Sequence, residues 1–417
     1  MNLSEIVRHS KLATHAVSAL TLKQKNLLLK DFAEGIEKSR AELLRANAED
    51  LAEAKKNLLS QSMYQRLVLS NEKITQLVRG VQDVILLPDP CNQILSSRSL
   101  ADKLQLTKIS TPIGLIAVIF ESRPDVIPQV LSLMIKSGNA CLLKGGKEAL
   151  NTNRAFMKII EELRAQHNFW PEQAVTFLET REQIHEILAF HNEIDLVIPR
   201  GSNALIQNIM ANTKIPVMGH ADGVCHIFVD DVFDFVKALD IIVDAKTQYP
   251  SACNSLETLL VHKNVATDFL PKLAQKLNQC SVDLLGCDQT IKIIGECSPV
   301  RDWHTEYGDL HLAIKVVNDI HDAIKHIELY GSHHTDAIIS KNKEHIDTFK
   351  SQVDSASVMV NISTRFSDGF RYGLGAEVGI STNKTHARGP VGLEGLVIYK
   401  YIVEGDGHTV ANYTGPE

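Results

Sequence analysis

The sequence lacks a long hydrophobic run and an apolar segment at its N-terminus. Its longest continuous apolar run, Ile113–Phe120, is far shorter than the about 20 residues that a membrane-spanning helix needs. Glu5 and Arg8 occur early in the chain, where a secretory signal would have its apolar core. We therefore expect no membrane association and no secretory signal.

Paired cysteine motifs are also lacking. No C-x-x-C occurs, and the seven cysteines are odd in number and scattered without a repeating spacing. A disulfide framework usually shows an even, regularly spaced set, and a chain of 417 residues can bury several cores without such cross-links. These features indicate a reducing compartment, and we expect a cytoplasmic protein.

An excess of basic residues is missing as well. The chain has 43 Lys and Arg against 50 Asp and Glu, which gives a net charge of −7, and it has no stripe of basic side chains. That balance argues against a nucleic-acid partner. Hydrophobic residues make up 44% and charged residues 22%, as in ordinary globular proteins. At about 150 residues per domain, the length predicts two or three domains.

Hydrophobic periodicity predicts a helical N-terminal region followed by two alternating α/β series. Residues 2–87 have apolar positions at helical spacing, as in Leu27, Leu28, Phe32 and Ile36, with Thr21 as an N-cap. After them, the alternating stretch Leu104–Ser110 predicts a half-buried strand. The first series has strands at 113–120, 140–143, 174–178 and 196–198, and helices at 126–137, 148–166, 182–190 and 202–211. The second has strands at 257–261, 291–294, 313–317, 336–339 and 357–360, and helices at 233–247, 265–278, 320–330 and 341–350, while a separate strand-like stretch at 396–403 follows a glycine-rich region. Such alternation is typical of parallel sheets covered on both faces.

Cys253 is the strongest candidate for a nucleophile. It lies in YPSACNSLET (249–258), between a predicted helix and a predicted strand. A thiolate attacks carbonyl groups well, and free backbone N–H groups in a turn can lower the pKa of a thiol from about 8.5. The alternative is a packed core cysteine, which fits Cys141, Cys225 and Cys280 because these lie within or beside apolar runs.

Two strand-to-helix turns are candidates for binding phosphate. In LKGGKE (143–148), Lys144 and Lys147 flank two glycines, and the segment precedes a predicted helix. In IPRGSN (198–203), a Gly-Ser pair directly precedes a predicted helix. Both arrangements suit a phosphate at a helix N-terminus. The alternatives are a plain turn with solvated lysines in the first segment and a simple Ser N-cap in the second. Spacing alone favours the Ser N-cap.

Two other patterns are weak. The stretch GLGAEVG (373–379) resembles a dinucleotide fingerprint, but its third glycine falls one residue late and no strand–helix context surrounds it, so we interpret it as a loop. The pairs His333–His334 and His220–His226 lack a third donor at metal-ligand spacing, so we expect no metal site.

Taken together, seven segments resemble the gamma-glutamyl phosphate reductases (glutamate-5-semialdehyde dehydrogenases), a family of the aldehyde dehydrogenase superfamily. The segments are IGLIAVIFESRPDV (113–126), GNACLLKGGKEALNTN (138–153), IPRGS (198–202), GVCHIFVD (223–230), AKTQYPSACNSLETLLV (245–261), STRFSDGFRYGLGAEVGIST (363–382) and HARGPVGLEGL (386–396). They occur in one order over most of the chain, which makes the resemblance far more specific than any single motif.

The resemblance implies an α/β fold of the aldehyde dehydrogenase type. This fold has two Rossmann-type three-layer α/β/α lobes and a small β oligomerisation arm. We expect a cofactor-binding domain with N-terminal helices (1–100 and 113–226), a catalytic domain (227–360), loops that return to the cofactor domain (361–392), and the arm (101–112 and 393–417). Because edge strands of the arm would pair between subunits, we expect a homo-oligomer, with dimer and tetramer both open.

The resemblance also implies a reaction. Cys253 stands at the position of the family nucleophile, which would attack glutamyl 5-phosphate to form a thioester that NADPH reduces to glutamate 5-semialdehyde. This is a step of proline synthesis from glutamate. No kinase domain precedes the segments, so we expect a stand-alone reductase that receives its substrate from a separate glutamate 5-kinase. The implied cofactor-binding residues are Lys144, Gly145, Gly146, Lys147, Arg200, Gly201 and Ser202.

Departures from ordinary aldehyde dehydrogenases refine these expectations. Those enzymes carry a Glu that activates water, whereas VMGHADGV (217–224) carries none, so we expect phosphate and not water to exchange with the thioester. NAD-preferring enzymes often have a Glu three residues after the ribose-binding Lys. Here that position holds Lys147, so we expect a preference for NADP.

The remaining site residues are less well defined. Ser122 stands where the superfamily has its oxyanion-hole Asn, with Arg123 and Asn254 as further candidates beside the Cys253 N–H. Arg123 is also a candidate for binding the substrate. The C-terminal loops contain three arginines, Arg365, Arg371 and Arg388. Each could pair with the carboxylate or the phosphate of the substrate, or form a structural salt bridge. Two competing functions stay open, a hydrolytic NAD-linked aldehyde dehydrogenase and a non-catalytic homologue.

Overall fold

The computed structural model describes residues 2–59, 61–180, 182–219, 222–413 and 415. The chain forms two compact units. Unit 1 comprises Met1–Gly219, Gly373–Gly379 and Val391–Glu417, and unit 2 comprises His220–Tyr372 and Ile380–Pro390. In the part of the chain that is described, no helix combines the length and the apolar character needed to cross a membrane.

The helices and strands are numbered in chain order. The helices are α1 (Leu3–Ser18), α2 (Leu22–Lys38), α3 (Arg40–Lys56), α4 (Gln61–Leu67), α5 (Asn71–Leu86), α6 (Val126–Ser137), α7 (Leu150–Gln166), α8 (Glu182–Ile187), α9 (Asn203–Ala211), α10 (Phe235–Thr247), α11 (Lys263–Gln279), α12 (Asp288–Ile294), α13 (Ile320–Tyr330) and α14 (Lys343–Gln352). The strands are β1 (Ile94–Ala101), β2 (Leu104–Pro112), β3 (Leu115–Phe120), β4 (Ala140–Gly145), β5 (Val175–Leu178), β6 (Leu196–Arg200), β7 (Cys225–Val229), β8 (Leu256–His262), β9 (Asp283–Gly286), β10 (Ser298–Pro299), β11 (His311–Val317), β12 (Thr335–Ile339), β13 (Ser357–Val360), β14 (Gly379–Ser381), β15 (Gly389–Val391) and β16 (Val397–Glu404).

The N-terminal part of unit 1 is helical, as the periodicity predicts. Thr21 caps α2 through a capping box with Gln24, which confirms the predicted N-cap. Leu28, Phe32 and Ile36 are fully buried at a spacing of four residues, which is the pattern of one helix face.

The core of unit 1 is a four-stranded sheet in the order β5-β4-β3-β6, with parallel pairing throughout. Every residue of β3 and β4 is buried. This confirms that the apolar runs form strands covered on both faces. The carboxyl ends of β4 and β6 lead into the two glycine-containing turns.

A second sheet of unit 1 has three antiparallel strands in the order β1-β2-β16. Its first strand begins at Ile94, so the sheet includes residues that we expected in the cofactor-binding domain. Apolar side chains of this sheet are exposed, among them Ile94, Tyr401 and Val403.

The core of unit 2 is a parallel seven-stranded sheet in the order β10-β9-β11-β8-β7-β12-β13. The strand predicted at 291–294 is wrong, because these residues end helix α12. The run Ile-Lys-Ile-Ile fits either element, and the neighbouring strand of this sheet is β9, which the periodicity missed.

Domain boundaries differ in detail from those expected. The boundary placed after residue 226 falls inside β7, which belongs to the sheet of unit 2. Within the expected returning segment 361–392, residues 361–372 and 380–390 group with unit 2 and only the remainder with unit 1.

Candidate active site

Cys253 lies in a turn between α10 and β8 of unit 2. The turn is closed by backbone hydrogen bonds from Ala252 to Tyr249 (3.1 Å) and from Ser255 to Ala252 (2.8 Å). Cys253 is partly exposed, whereas Cys141 and Cys225 are completely buried. Burial raises the pKa of the Cys141 thiol to about 12, which makes it inert. Cys280, which we expected in the core, is exposed.

Buried neighbours fix the backbone of this turn. A Cβ atom at Gly223 would lie 2.2 Å from the carbonyl oxygen of Cys253, so only glycine fits there. The Sγ of Cys225 donates to the same oxygen at 3.2 Å. Gly223, which belongs to the segment without the water-activating Glu, therefore packs directly against Cys253. His220 of the same segment lies outside the described residues.

Asn254, a candidate oxyanion donor, has a structural partner. Its Nδ2 donates to the carbonyl oxygen of Ser367 at 2.7 Å, and the residue is 3% exposed. Its Oδ1 is buried and has no hydrogen-bond partner among the described residues. Asn254 therefore ties the turn of Cys253 to the segment that follows Arg365.

A buried ion pair lies at the start of β8, four residues after the candidate nucleophile. The Nζ of Lys246 is 3.1 Å from Oε2 of Glu257, and both side chains are completely buried. Glu257 also accepts from the N–H groups of Tyr307 (3.3 Å) and Gly308 (3.4 Å). Burial raises the pKa of Glu257 to about 7 and lowers that of Lys246. This pair was not predicted from the sequence, although a Glu inside an apolar strand indicates a buried partner.

The three arginines of the C-terminal loops have different surroundings. Arg365 is 8% exposed, its Nε donates to Gln248 at 2.9 Å, and its guanidinium lies 5.7 Å from the ring centroid of Tyr249. It forms no ion pair with any residue that the structure describes. Burial lowers the pKa of Arg365, and the Cys253 thiol acts in the opposite direction. Arg365 is therefore a desolvated cation on the same side of unit 2 as the candidate nucleophile.

The other two arginines have carboxylate partners. Arg371 pairs with Asp368 at 3.5 Å and donates to the carbonyl oxygen of Arg365 at 3.0 Å. Arg388 pairs with Asp354 at 2.7 Å, and Lys384 contacts the same carboxylate. Hydrogen bonds from Lys384 and then Arg388 lower the pKa of Asp354 to about 2. Salt bridges thus account for both arginines.

The first candidate phosphate turn lies in unit 1, at the end of β4. Lys144 is 4% exposed and its Nζ donates to the carbonyl oxygen of Gly145, whereas Lys147 is exposed. A Cβ atom at Gly145 would lie 2.3 Å from Nδ2 of Asn153, and one at Gly146 would lie 2.1 Å from the Glu148 carboxylate. A side chain at either position would therefore displace a close neighbour, which favours glycine in this turn.

Ser122 is engaged by the carboxylate that covers Gly146. The N–H and the hydroxyl of Ser122 lie 2.6 and 2.8 Å from Oε1 of Glu148, and the backbone of Ser122 is left-handed with φ 43°. The expected oxyanion donor thus donates to Glu148 in this structure. The neighbouring Arg123 is half-buried.

The second candidate turn joins β6 to α9. Ser202 is the N-cap of α9, and its Oγ accepts from Leu205 N–H, which confirms the N-cap interpretation. The side chain of Arg200 packs against Gly379, where a Cβ atom would be 3.1 Å from Nη1. The glycine-rich stretch 373–379 is a loop up to the start of β14, as expected.

Comparison with known proteins identifies the family. Residues 1–291 match the aldehyde dehydrogenase family. A gamma-glutamyl phosphate reductase from Brachyspira hyodysenteriae is 50% identical over 99% of this chain and 97% of its own length, and one from Methanococcoides burtonii is 47% identical over 99% and 95%. The crystal structure of gamma-glutamyl phosphate reductase from Thermotoga maritima is 39% identical, with a TM-score of 0.95 over 98% of this chain and 100% of that chain.

The chain belongs to the gamma-glutamyl phosphate reductase family. Membership of this family confirms the expected α/β fold of the aldehyde dehydrogenase type. The candidate nucleophile and the three loop arginines lie in unit 2, and both candidate phosphate turns, Ser122 and Arg123 lie in unit 1. Long-range contacts such as Glu148 to Ser122 could not be read from the sequence, because no local pattern marks them.

Proposed function

We propose that the chain catalyses the NADPH-dependent reduction of L-glutamyl 5-phosphate to L-glutamate 5-semialdehyde and phosphate, the second step of proline synthesis from glutamate. The observation that carries this proposal is the partly exposed Cys253 in a turn fixed from beneath by Gly223 and Cys225. A fixed, accessible thiol is suited to nucleophilic attack, whereas the buried thiol of Cys225 is not.

Cys253 performs the covalent step. Its thiolate attacks the acyl-phosphate carbonyl, the bond from carbon to the phosphate oxygen breaks, and phosphate leaves with the electron pair, so that a thioester forms on Sγ. When bound, NADPH supplies the hydride that reduces this thioester. The backbone N–H of Cys253 is a donor for the oxyanion. Cleavage of the carbon–sulfur bond then returns the thiolate and frees the aldehyde.

The two turns of unit 1 fit an anionic dinucleotide. The Ser202 N–H already binds an anionic oxygen, since Oε2 of Glu121 accepts its hydrogen bond at 2.8 Å. The residues that would hold NADPH are Lys144, Gly145, Gly146, Lys147, Arg200, Gly201 and Ser202. The exposed ammonium of Lys147 would attract a 2′-phosphate, which supports NADP over NAD.

Arg365 is the best candidate for an anionic group of the substrate. A buried guanidinium is stabilised by a carboxylate or phosphate, and Arg365 has neither among the described residues, in contrast to Arg371 and Arg388. We assign the binding of one anionic group of the substrate to Arg365. Arg123 is a second candidate for substrate binding, because it directly follows Ser122.

The phosphate requirement tests the reaction. The enzyme is incubated with glutamate semialdehyde and NADP, with and without inorganic phosphate, and reduced nicotinamide is followed by absorbance. We expect turnover only with phosphate, because no Glu activates water in the segment that packs on Cys253. Fast phosphate-free oxidation would instead support a hydrolytic enzyme. No absorbance change with all three additions would support a non-catalytic homologue.

Cys253→Ser should abolish turnover, whereas Cys225→Ser should retain it.

Assembly, supply and location complete the proposal. The exposed apolar side chains of the three-stranded sheet support pairing with a second copy of the chain. The acyl phosphate is reactive, which supports its handover from a glutamate 5-kinase. The structure shows no disulfide among the cysteines that it describes, which supports a reducing, cytoplasmic location.

A further inference from the structure

The carboxylate of Glu121 occupies the second candidate phosphate turn, which joins β6 to α9. Glu121 directly follows β3, and its Oε2 accepts a hydrogen bond from the N–H of Ser202 at 2.8 Å. A Cβ atom at Gly201 would lie 2.6 Å from the same oxygen. The carboxylate therefore lies against the Gly201–Ser202 backbone, where a pyrophosphate is expected.

The sheet register places Glu121 there. β3 and β6 are adjacent parallel strands with Phe120 opposite Arg200. Beyond this pair, the N–H of Glu121 donates to the carbonyl oxygen of Arg200 at 2.9 Å. The side chain of residue 121 thus reaches the first turn of α9, whose N-terminal end attracts negative charge. Because the contact is anchored by backbone pairing, Glu121 stays beside the turn when its carboxylate moves.

We propose that Glu121 sets cofactor affinity, because its carboxylate competes with the pyrophosphate of the nicotinamide cofactor for the Ser202 N–H. This inference rests on the proposed function, which requires such a cofactor. One N–H cannot serve a carboxylate and a phosphate oxygen fully at once. Two like charges about 4 Å apart in water repel each other enough to weaken binding about fivefold. Glu121 therefore holds the turn in shape before the cofactor binds and lowers the affinity when it does.

The test is a binding titration with Glu121→Gln. Glutamine keeps an oxygen that can accept from Ser202 N–H and removes the charge. Dissociation constants for NADPH and NADH are measured by cofactor fluorescence without substrate. We expect both to fall about fivefold, because both cofactors carry a pyrophosphate, and the gain should shrink with added salt. Glu162→Gln, at an exposed position on α7, makes the same change in net charge and should leave both constants unchanged.

Each outcome decides the question. Unchanged or weaker binding by Glu121→Gln overturns the inference while the proposed function stands, as long as the wild type binds the cofactor. A gain for NADPH alone would place Glu121 beside the 2′-phosphate and would also overturn it. If the wild type binds neither cofactor, the proposed function fails and the inference with it. If Glu121→Gln does not fold, Glu121→Ala removes the same charge and should also bind both cofactors more tightly.

Discussion

The ammonium of Lys246 lies 3.1 Å from the carboxylate of Glu257, and both side chains are completely buried. The pair joins the last turn of α10 to the start of β8, and these two elements flank the turn of Cys253. Two backbone N–H groups from residues 307 and 308 complete the shell of the carboxylate. The pair therefore stabilises the turn of Cys253 from both of its ends.

Breaking this pair should destabilise the protein. Lys246→Met and Glu257→Gln each leave one buried charge without its partner, so we expect each to lower the free energy of unfolding by about 3–5 kcal/mol. The double variant leaves no charge, and glutamine still accepts from the two N–H groups, so it should be more stable than either single variant. Chemical denaturation measures all three. Additive losses in the double variant would contradict a direct pairing.

Arg365 should act on substrate and not on stability alone. Arg365→Ala removes charge-assisted hydrogen bonds to an anion, and we expect kcat/KM in the phosphate-dependent oxidation to fall about 10- to 100-fold. Arg365→Lys should recover part of the loss, because lysine keeps the charge but not the bidentate geometry. A raised KM for phosphate or for semialdehyde identifies the bound group. Arg301→Ala, at an exposed position of the same unit, is the control, and equal effects at both positions would refute the assignment.

Lys147 should select between the two nicotinamide cofactors. Lys147→Glu replaces an attraction for the 2′-phosphate by a repulsion, so the ratio of kcat/KM for NADPH over NADH should fall about tenfold or more. Initial rates with each cofactor give the ratio. Lys214→Glu makes the same charge change at an exposed position just after α9 and should leave the ratio unaltered. An unchanged ratio in Lys147→Glu would count against the assignment.

Local patterns predicted the elements better than the site. The helix at 126–137 and the strand at 357–360 have the predicted bounds, because periodicity and flanking glycine or asparagine residues mark them. The run at 291–294 failed because four residues fit a helix end as well as a strand. The partners of Ser122 and Ser202 are glutamates 26 and 81 positions away in sequence. Residues so far apart in sequence become neighbours because their strands are paired in the sheet, and a single sequence does not show that pairing.

His326 should make the fold sensitive to acid. Burial, followed by the neighbouring His226 and Lys315, lowers its pKa to about 2, and Lys315 Nζ lies 2.9 Å from its Nδ1. The folded state therefore keeps His326 neutral below pH 6.5, where the unfolded chain takes up a proton. Stability must then fall as the pH drops from about 6.5, and this one group should cost about 2 kcal/mol between pH 8 and pH 5. The His326→Gln variant has no titrating side chain at this position. Its free energy of unfolding, measured in urea at pH 8 and pH 5, should therefore fall by about 2 kcal/mol less than that of the wild type. Equal losses in the two proteins would show that His326 is protonated in the folded state.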